Sequence, residues 1–313
     1  MRKFIIDTDT GSDDAAAIII AALNRNIDLL GVTTVAGNVS VEQATKNALM
    51  TLEVCEADAP VYIGAGCPLL SERKETISVH GADGMGDCGI INPKRSAQTK
   101  RAVDFILDTV SEYPDEVELV VLGPATNIAL AVLTDRETMK KAKHIWSMGT
   151  PGFGPGNATP VAEFNVFIDA EAYAVMLESG IPITIAGFDL CTGKTGLGKK
   201  ELAALAGGNK IGKFLERATS QLLQFKLNTR QTYMVDLPDA LAMAAALWDG
   251  FVLDSVNCYC KCCTQRNETH GQVIFYRQDR TYEAVSDMYK ANAEVITEVD
   301  ENLFIEKLIQ LMV

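Results

Sequence analysis

Residues 7–14 (DTDTGSDD) constrain the fold of this chain most strongly, because they place four carboxylates between two apolar segments. The apolar residues 4–6 before them predict a short buried strand, and the apolar residues 15–23 after them predict a helix. Ser12 is the predicted N-cap of that helix, and the last two aspartates would lie in its first turn, where negative charge is favourable. This order of strand, tight turn and helix indicates the first unit of an α/β sheet.

The same four carboxylates predict a bound cation. Carboxylates this close repel one another unless a cation or shared protons neutralise them. Oxygen ligands on a turn suit Ca²⁺ or Mg²⁺. The plainer interpretation, in which one aspartate caps the helix and the others are solvated, stays open, although a cap needs only one acidic residue. Acidic groups at strand ends of open α/β sheets typically lie at the ligand crevice.

The rest of the chain continues the alternation of strands and helices. Apolar runs predict further strands at residues 27–35, 59–63, 117–122, 143–148, 181–186, 251–263 and 272–276. Helical patterns occupy residues 41–56, 100–113, 169–179, 199–206, 211–228, 240–248 and 301–312. We therefore predict one α/β domain over residues 1–313: an open, mostly parallel, Rossmann-like sheet with helices on both faces and an active site at the carboxyl ends of the strands. The long polar segment 64–98 is typical of a functional loop such as a lid.

Composition excludes several classes of protein. A net charge of −13 argues against nucleic-acid binding, which normally needs a basic face. The longest apolar run, 15–23, is too short to span a bilayer, so we expect no membrane partner. The N-terminus lacks a secretory signal pattern, which predicts a cytoplasmic protein with reduced thiols. The cysteines within 258–263 lack paired CxxC spacing, and alternation puts three of them on one strand face, which favours packing over zinc.

Polar side chains recur where successive strands end, so one crevice would collect them. Besides the aspartate cluster, they are Asn38, Thr126, Asn127, Asn157, Glu163 and Asn165. Here the sequence resembles the inosine–uridine nucleoside hydrolases, whose N-terminal signature is the aspartate-rich DxDxGxDD pattern. The resemblance continues in order through AGN at 36–38, HGADG at 80–84, LGPATN at 122–127, GNATPVAEFN at 156–165, and Asp239.

This resemblance implies calcium-dependent hydrolysis of the N-glycosidic bond of ribonucleosides, which gives ribose and a free purine or pyrimidine base for salvage. It implies Ca²⁺ ligands at Asp9, Asp14 and Asp239, a backbone carbonyl ligand at Thr126, and metal-site support from Asp7. Asp13 would be the general base that takes a proton from the attacking water. The ribose hydroxyls would be held by Asn38, Asn157, Glu163 and Asn165. A homodimer or homotetramer is implied as well.

The chain departs from this pattern where the leaving base would be protonated. Many family members carry a histidine directly before the late aspartate, but here that position is Pro238, which cannot donate a proton. Pro238 suits the first turn of a helix. Possible substitutes are His80 and Tyr233, with Cys191 better explained as a packed thiol. We expect the base pocket to come from the loop after residue 63 and the segment near Tyr233.

Two other functions stay open at the sequence level. With Pro238 in place of histidine, the protein could be a calcium-dependent ribose or nucleoside binder with little turnover. Residues 7–10 (DTDT) also resemble the start of haloacid-dehalogenase-type phosphatases, which use Mg²⁺ and a nucleophilic aspartate. That family usually has threonine or valine where this chain has Gly11, and its pattern does not explain Asp13 or the VAEFN segment.

Overall fold

The computed structural model describes residues 1–71, 79–193, 195–280 and 288–313. Its first unit is the predicted one: strand β1 (Arg2–Thr8) becomes fully buried toward its end, and helix α1 (Ser12–Ala22) follows a short turn. Gly11, not Ser12, is the N-cap, so that prediction was wrong by one residue. The backbone N–H of Gly11 donates to Asp14 Oδ2 at 2.8 Å. The Ser12 hydroxyl does not cap the helix, because its Oγ forms a hydrogen bond of 2.7 Å with His80 Nδ1.

The described residues form one nine-stranded sheet in the order β3-β2-β1-β4-β5-β6-β9-β7-β8. The strands after β1 are β2 (Ile27–Thr34), β3 (Val61–Ile63), β4 (Val117–Val121), β5 (His144–Met148), β6 (Ile183–Ala186), β7 (Val252–Cys262), β8 (Val273–Arg277) and β9 (Ala293–Val299). Pairing is parallel from β3 across to β9, and β7 is antiparallel to both β9 and β8. The open, mostly parallel sheet is therefore confirmed.

Helices cover both faces of this sheet, as predicted. They are α2 (Val41–Val54), α3 (Ala102–Glu112), α4 (Thr126–Thr134), α5 (Arg136–Met139), α6 (Phe164–Ile168), α7 (Ala170–Leu177), α8 (Lys199–Gly207), α9 (Lys210–Ala218), α10 (Ser220–Arg230), α11 (Pro238–Leu247), α12 (Glu301–Met312) and a 3₁₀ turn at Phe188–Cys191. One apolar core joins the sheet to α1, α2, α8, α9, α11 and α12, and a second core on the opposite face joins it to α3, α4 and α7. None of the helices in the described ranges is long and apolar enough to cross a membrane.

Two elements differ from the sequence prediction. The helix expected at 211–228 divides at Thr219 into α9 and α10, and the Thr219 hydroxyl donates back to the carbonyl of Leu215 at 2.9 Å, a bond that competes with regular helix continuation. Strand β9 was missed, because its short apolar alternation is interrupted by Glu294 and Glu298. The predicted loop 64–98 contains no helix in its described parts, and residues 72–78 lie outside the described ranges.

The three cysteines at 258, 260 and 262 are all buried in the core on one face of β7, which confirms their interpretation as packing residues. Cys191 is also buried, and its thiol donates to the carbonyl of Phe188 at 2.9 Å. Burial raises the pKa of Cys191 well above its ordinary value, so the group stays a neutral thiol.

Candidate active site

A cavity of about 400 Å³ opens where the parallel strands end. Leu122 follows β4 and Met148 ends β5, and both line this cavity together with Asn38, which follows β2. Predicted site residues that line it are Asp13, Asn38, His80, Asn157, Glu163, Asn165 and Asp239. The sheet therefore brings together, at the expected edge, side chains that are up to 226 positions apart in sequence (239 − 13).

Three carboxylates converge at one end of this cavity. Asp13, Asp14 and Asp239 each offer an oxygen, and these oxygens lie within 4.8 Å of one another. Two helix N-termini place them: Asp13 and Asp14 lie in the first turn of α1, and Asp239 lies in the first turn of α11. Pro238 is the first residue of α11, as predicted, and its fixed φ angle suits that position.

Burial and mutual repulsion raise the pKa values in this cluster. Burial raises the pKa of Asp14 to about 7, and the neighbouring Asp13 carboxylate adds to the shift. Burial, followed by the charges of Asp13, Asp14 and Asp9, raises the pKa of Asp239 well above its usual range. A cation placed here would remove this penalty, because it stabilises the ionised carboxylates.

Asp9 lies beside this cluster and is held by the backbone of residues 36–38. Its Oδ2 accepts a hydrogen bond of 2.5 Å from the N–H of Asn38, whereas its buried Oδ1 has no hydrogen-bond partner among the described residues. A Cβ at Gly37 would lie 2.1 Å from Asp9 Oδ2, so only glycine fits there. Burial, then the Asp14 charge, raises the pKa of Asp9 well above its usual range.

Asp7 and Thr126 occupy positions behind the cavity. Asp7 Oδ1 accepts hydrogen bonds from Thr33 Oγ1 at 2.5 Å and from Asn127 Nδ2 at 2.7 Å, and burial raises the pKa of Asp7 to about 6. The Thr126 hydroxyl donates to Asp169 Oδ2 at 2.7 Å. The side chain of Thr126 is therefore engaged with Asp169, and the role of its backbone carbonyl as a metal ligand stays a prediction.

The segment 156–165 supplies one wall of the cavity. Glu163 is the N-cap of α6 and accepts from the N–H of Asn165 at 3.0 Å, and burial raises the pKa of Glu163 to about 7. Asn165 Nδ2 donates to the carbonyl of Leu122 at 2.7 Å, and Asn157 Oδ1 accepts from the N–H of Phe164 at 2.9 Å. These bonds fix three polar side chains along one wall.

His80 and Tyr233 have different surroundings. His80 lines the cavity, and its Nδ1 lies 2.7 Å from Ser12 Oγ and 3.7 Å from Asp13 Oδ1. Tyr233 is 40% exposed, and its ring packs against Lys199, whose Nζ lies 5.1 Å from the ring centroid. The structure thus places His80 next to Asp13 and does not place Tyr233 among the residues that line the cavity.

Part of the cavity lining consists of residues that the sequence did not indicate as site residues. One face of α10 lines the cavity, together with Phe188 of the 3₁₀ turn and Asp236 before α11. The α10 residues on this face are Leu222, Phe225, Lys226, Thr229 and Arg230. Their spacing of three and four residues places them on one helix face, and this spacing was the sequence feature that could have identified them. A lysine in such a pattern, however, normally indicates a solvated surface residue.

Comparisons with known proteins agree with this geometry. The family model described as "Inosine-uridine preferring nucleoside hydrolase" matches residues 4–306. Uridine nucleosidase 1 of Arabidopsis thaliana is 42% identical over 193 residues, 61% of this chain and 57% of that protein. Non-specific ribonucleoside hydrolase RihC of Salmonella paratyphi A is 35% identical over 297 residues, 95% of this chain and 93% of that protein.

The fold comparison extends over the whole chain. The solved structure of the plant nucleoside hydrolase PpNRh1 superposes with a TM-score of 0.92 at 30% identity, and the match covers 99% of this chain and 98% of that chain. The chain spans about three fifths of the length of two of its curated relatives, 61% and 57% respectively. Because the family model covers nearly all of the sequence and the 35% identical relative is matched over 93% of its length, the chain belongs to the inosine-uridine preferring nucleoside hydrolase family.

Proposed function

We propose that this protein catalyses the calcium-dependent hydrolysis of the N-glycosidic bond of ribonucleosides, giving ribose and a free purine or pyrimidine base. The observation that carries the proposal is the convergence of Asp13, Asp14 and Asp239 at one end of a cavity whose wall holds fixed polar side chains. The cavity volume of about 400 Å³ is within the range for small-molecule sites. The names of the relatives support the same chemistry.

The donor set fits Ca²⁺. It consists of carboxylate oxygens, two of which, Asp9 Oδ1 and Asp13 Oδ1, are buried without a hydrogen-bond partner among the described residues. We propose that Asp9, Asp14 and Asp239 hold the ion with their carboxylates and Thr126 with its carbonyl, while Asp7 supports the site. When bound, Ca²⁺ neutralises the cluster, increases the acidity of water and offers coordination positions for hydroxyl oxygens.

Asp13 has the geometry of a general base. It lines the cavity, is only 7% exposed, and has one oxygen that is not used by the protein. We propose that Asp13 accepts a proton from water as the water oxygen attacks C1′ of the ribose. The His80 ring lies beside this carboxylate, with its Nδ1 3.7 Å from Asp13 Oδ1, which is too far for a hydrogen bond, and we propose that it helps to orient the carboxylate by contact.

The polar wall would hold the sugar. Asn38, Asn157, Glu163 and Asn165 all line the cavity. Backbone partners fix the last three before a substrate arrives, and Asn38 Nδ2 donates to Asp14 Oδ2 at 3.4 Å. Amide and carboxylate groups of this kind bind ribose hydroxyls and orient C1′ toward the water. Fixed groups of this sort also stabilise the oxocarbenium-like transition state of glycoside hydrolysis.

The test is a substrate panel of inosine, adenosine, guanosine, uridine, cytidine and nitrophenyl riboside, assayed with and without a chelator. We expect ribose release from at least one nucleoside, loss of that release with chelator, and recovery with added Ca²⁺. Tight ribose binding without turnover of any substrate would instead identify a binding protein. Phosphate release from phosphomonoesters without ribose release would identify a phosphatase.

Three broader expectations belong to the same proposal. We propose that residues 1–313 form one domain, because strands from both ends of the chain share one sheet. We also propose a homodimer or homotetramer in the cytoplasm, acting on small nucleosides and not on nucleic acid. Light scattering after size-exclusion chromatography tests the assembly, and a mass equal to that of one 33.8 kDa chain would contradict it.

A further inference from the structure

A buried ion pair lines the same cavity as Asp13 and Asp239. Lys226 Nζ of α10 donates to Asp236 Oδ2, and the two side chains are only 10% and 8% exposed. Both residues line the cavity. The pair thus places a positive charge and a compensating negative charge against the space where a ligand would bind.

Such a pair is poorly explained by stability alone. Removing an ammonium and a carboxylate from water is unfavourable for each ion, so a buried pair contributes little net stability, and lysine is rarely this buried. Apolar side chains of Phe188, Leu222 and Phe225 line the same cavity. A low-polarity wall strengthens the action of the Lys226 charge on any group that enters.

The proposed reaction is favoured by a positive group near the departing base. When the C1′–N bond breaks, its electron pair goes to the base nitrogen, and the base departs with developing negative charge. Pro238, which borders the same cavity, has neither a side-chain donor nor a backbone N–H. Fixed donors aimed at developing charge are among the strongest contributors to catalysis.

We propose that Lys226, positioned by Asp236, donates a charged hydrogen bond to the departing base and stabilises its negative charge; this rests on the proposed function. The C1′–N bond breaks with its electron pair passing to the base nitrogen, the water oxygen bonds to C1′, and the water proton passes to Asp13. The base anion, held by the Lys226 ammonium, takes a proton from solvent as it leaves. Asp13 returns its proton to solvent, so ribose and neutral base are the products.

The Lys226 ammonium has N–H donors that the bond to Asp236 does not use. Lysine carries three N–H donors, and one of them is directed to Asp236, which leaves two for acceptor atoms on a base. The hydrogen bond to Asp236 fixes the position of the Lys226 side chain against the cavity. Arg230 also borders the cavity, but it is exposed at the last turn of α10, where water screens its charge.

Two kinds of substrate separate this role from others. Nucleosides have poor leaving groups and need the Lys226 charge, whereas nitrophenyl riboside releases a stable nitrophenolate and does not. We expect Lys226→Met to lower kcat for inosine and uridine by about 100-fold and to change kcat for nitrophenyl riboside by less than about threefold. Lys226→Arg should recover part of the loss, because it keeps the charge.

Controls keep the test independent of folding. Lys226→Met leaves Asp236 buried and unpaired, so the neutral double variant Lys226→Met/Asp236→Asn is assayed beside it, with thermal unfolding of both. Asp236→Asn alone should lower kcat for nucleosides more than it changes KM. Lys210→Met, which breaks the exposed pair with Glu56, is the matched control and should leave both substrates unaffected.

Equal losses on both substrates in the folded double variant, or no loss on nucleosides, would overturn the role of Lys226. Wild-type protein that releases ribose from nitrophenyl riboside but from no nucleoside would also contradict the role of Lys226. In that case no group of the protein would stabilise the departing base. Wild-type protein that releases ribose from neither substrate overturns the proposed function, and the Lys226 role with it.

Discussion

Two charged groups of different construction border the cavity: the aspartate cluster, called the acidic end, and the Lys226–Asp236 pair, called the base end. In the acidic end, Asp13 and Asp14 lie in a short motif that also fixes their backbone, and Asp239 joins them from the start of α11. In the base end, Lys226 and Asp236, which are ten positions apart in sequence, form an ion pair that lines the cavity together with other residues of α10. The acidic end consists of carboxylates that need a cation to balance their charge. The base end contains a cation, Lys226, that is already paired with a carboxylate.

The difference teaches that the two halves of a hydrolytic site are specified in different ways. The acidic end depends on close backbone approaches, such as Gly37 against Asp9, which leave a local mark in the sequence. The base end depends on which helix packs over the cavity, which is a tertiary property. We therefore expect variants at the acidic end to affect every substrate alike, and variants at the base end to affect substrates according to their leaving group.

The largest effect is expected from Asp14→Ala. Asp14 is fully buried within the carboxylate cluster, and it also accepts hydrogen bonds from Thr8 and Gly11, so its removal takes away a proposed ligand and loosens the start of α1. We expect ribose release from all substrates to fall below detection and Ca²⁺ affinity to drop by at least about tenfold. Calorimetric titration with Ca²⁺ measures this, and unchanged affinity would remove Asp14 from the ligand set.

Asp13→Asn should come next and should separate base from ligand. We expect a loss of about 10²–10⁴-fold in kcat, the usual contribution of a general base, with Ca²⁺ binding largely retained. Because the Asp13 oxygen also lies within 4.8 Å of those of Asp14 and Asp239, the Ca²⁺ titration is essential. If Asp13→Asn lost Ca²⁺ as completely as Asp14→Ala, Asp13 would be a ligand and another group would be the base.

Much of the acidic end could be predicted because its residues lie in ordered, glycine-containing motifs that follow strands. The mostly parallel sheet and its covering by helices on both faces followed from the apolar periodicity and from the alternation of strands with helices, whereas the order of the strands did not. What could not be predicted was the break at Thr219, which turns α10 across the cavity, and hence the position of Lys226. The ammonium group of a lysine in an amphipathic helix normally lies in water. Only the packing of α10 shows that the side chain of Lys226 is buried against the cavity instead.

The pH dependence of stability should report on two buried carboxyls near the cavity, those of Asp7 and Glu163. Burial raises the pKa of Asp7 to about 6 and that of Glu163 to about 7, above their ordinary values of 3.8 and 4.5. The folded chain therefore binds more protons than the unfolded chain between about pH 4 and pH 7, and the free energy of unfolding of the calcium-free protein should fall as pH rises through this window.

Added Ca²⁺ should oppose this fall, because its ligands must be ionised to bind it. We expect the rise in Tm on adding Ca²⁺ to be larger at about pH 7 than at about pH 5. Thermal unfolding at both pH values, with chelator and with Ca²⁺, gives the comparison. A calcium-free Tm that rose steadily from about pH 4 to about pH 7 would contradict the assignment of these carboxyls as buried and protonated.

A smaller effect is expected from His80→Gln. His80 bonds Ser12 and lies beside Asp13, so it belongs to the acidic end and should influence water attack rather than base departure. We expect a loss of about tenfold in kcat that is equal for inosine and nitrophenyl riboside, because an orienting group contributes less than the base itself. A loss confined to inosine would instead assign His80 to the leaving group.

The smallest effect is expected from Tyr233→Phe. The Tyr233 ring is 40% exposed and packs against Lys199, and its hydroxyl is outside the cavity lining. We expect kcat and KM for every substrate to change by less than about twofold, as for most surface substitutions. A selective loss on nucleosides would show that the segment around Tyr233 closes over the base when substrate binds.

The most direct test of the division between the two ends is the ratio of kcat/KM for inosine to kcat/KM for nitrophenyl riboside, compared among wild type, Asp13→Asn and the folded Lys226→Met/Asp236→Asn variant. We predict that Asp13→Asn leaves this ratio unchanged while lowering both values, and that the double variant lowers the ratio by about 100-fold. A ratio that falls in the Asp13 variant, or that stays constant in the double variant, would contradict the assignment of water activation to the acidic end and leaving-group stabilisation to the base end.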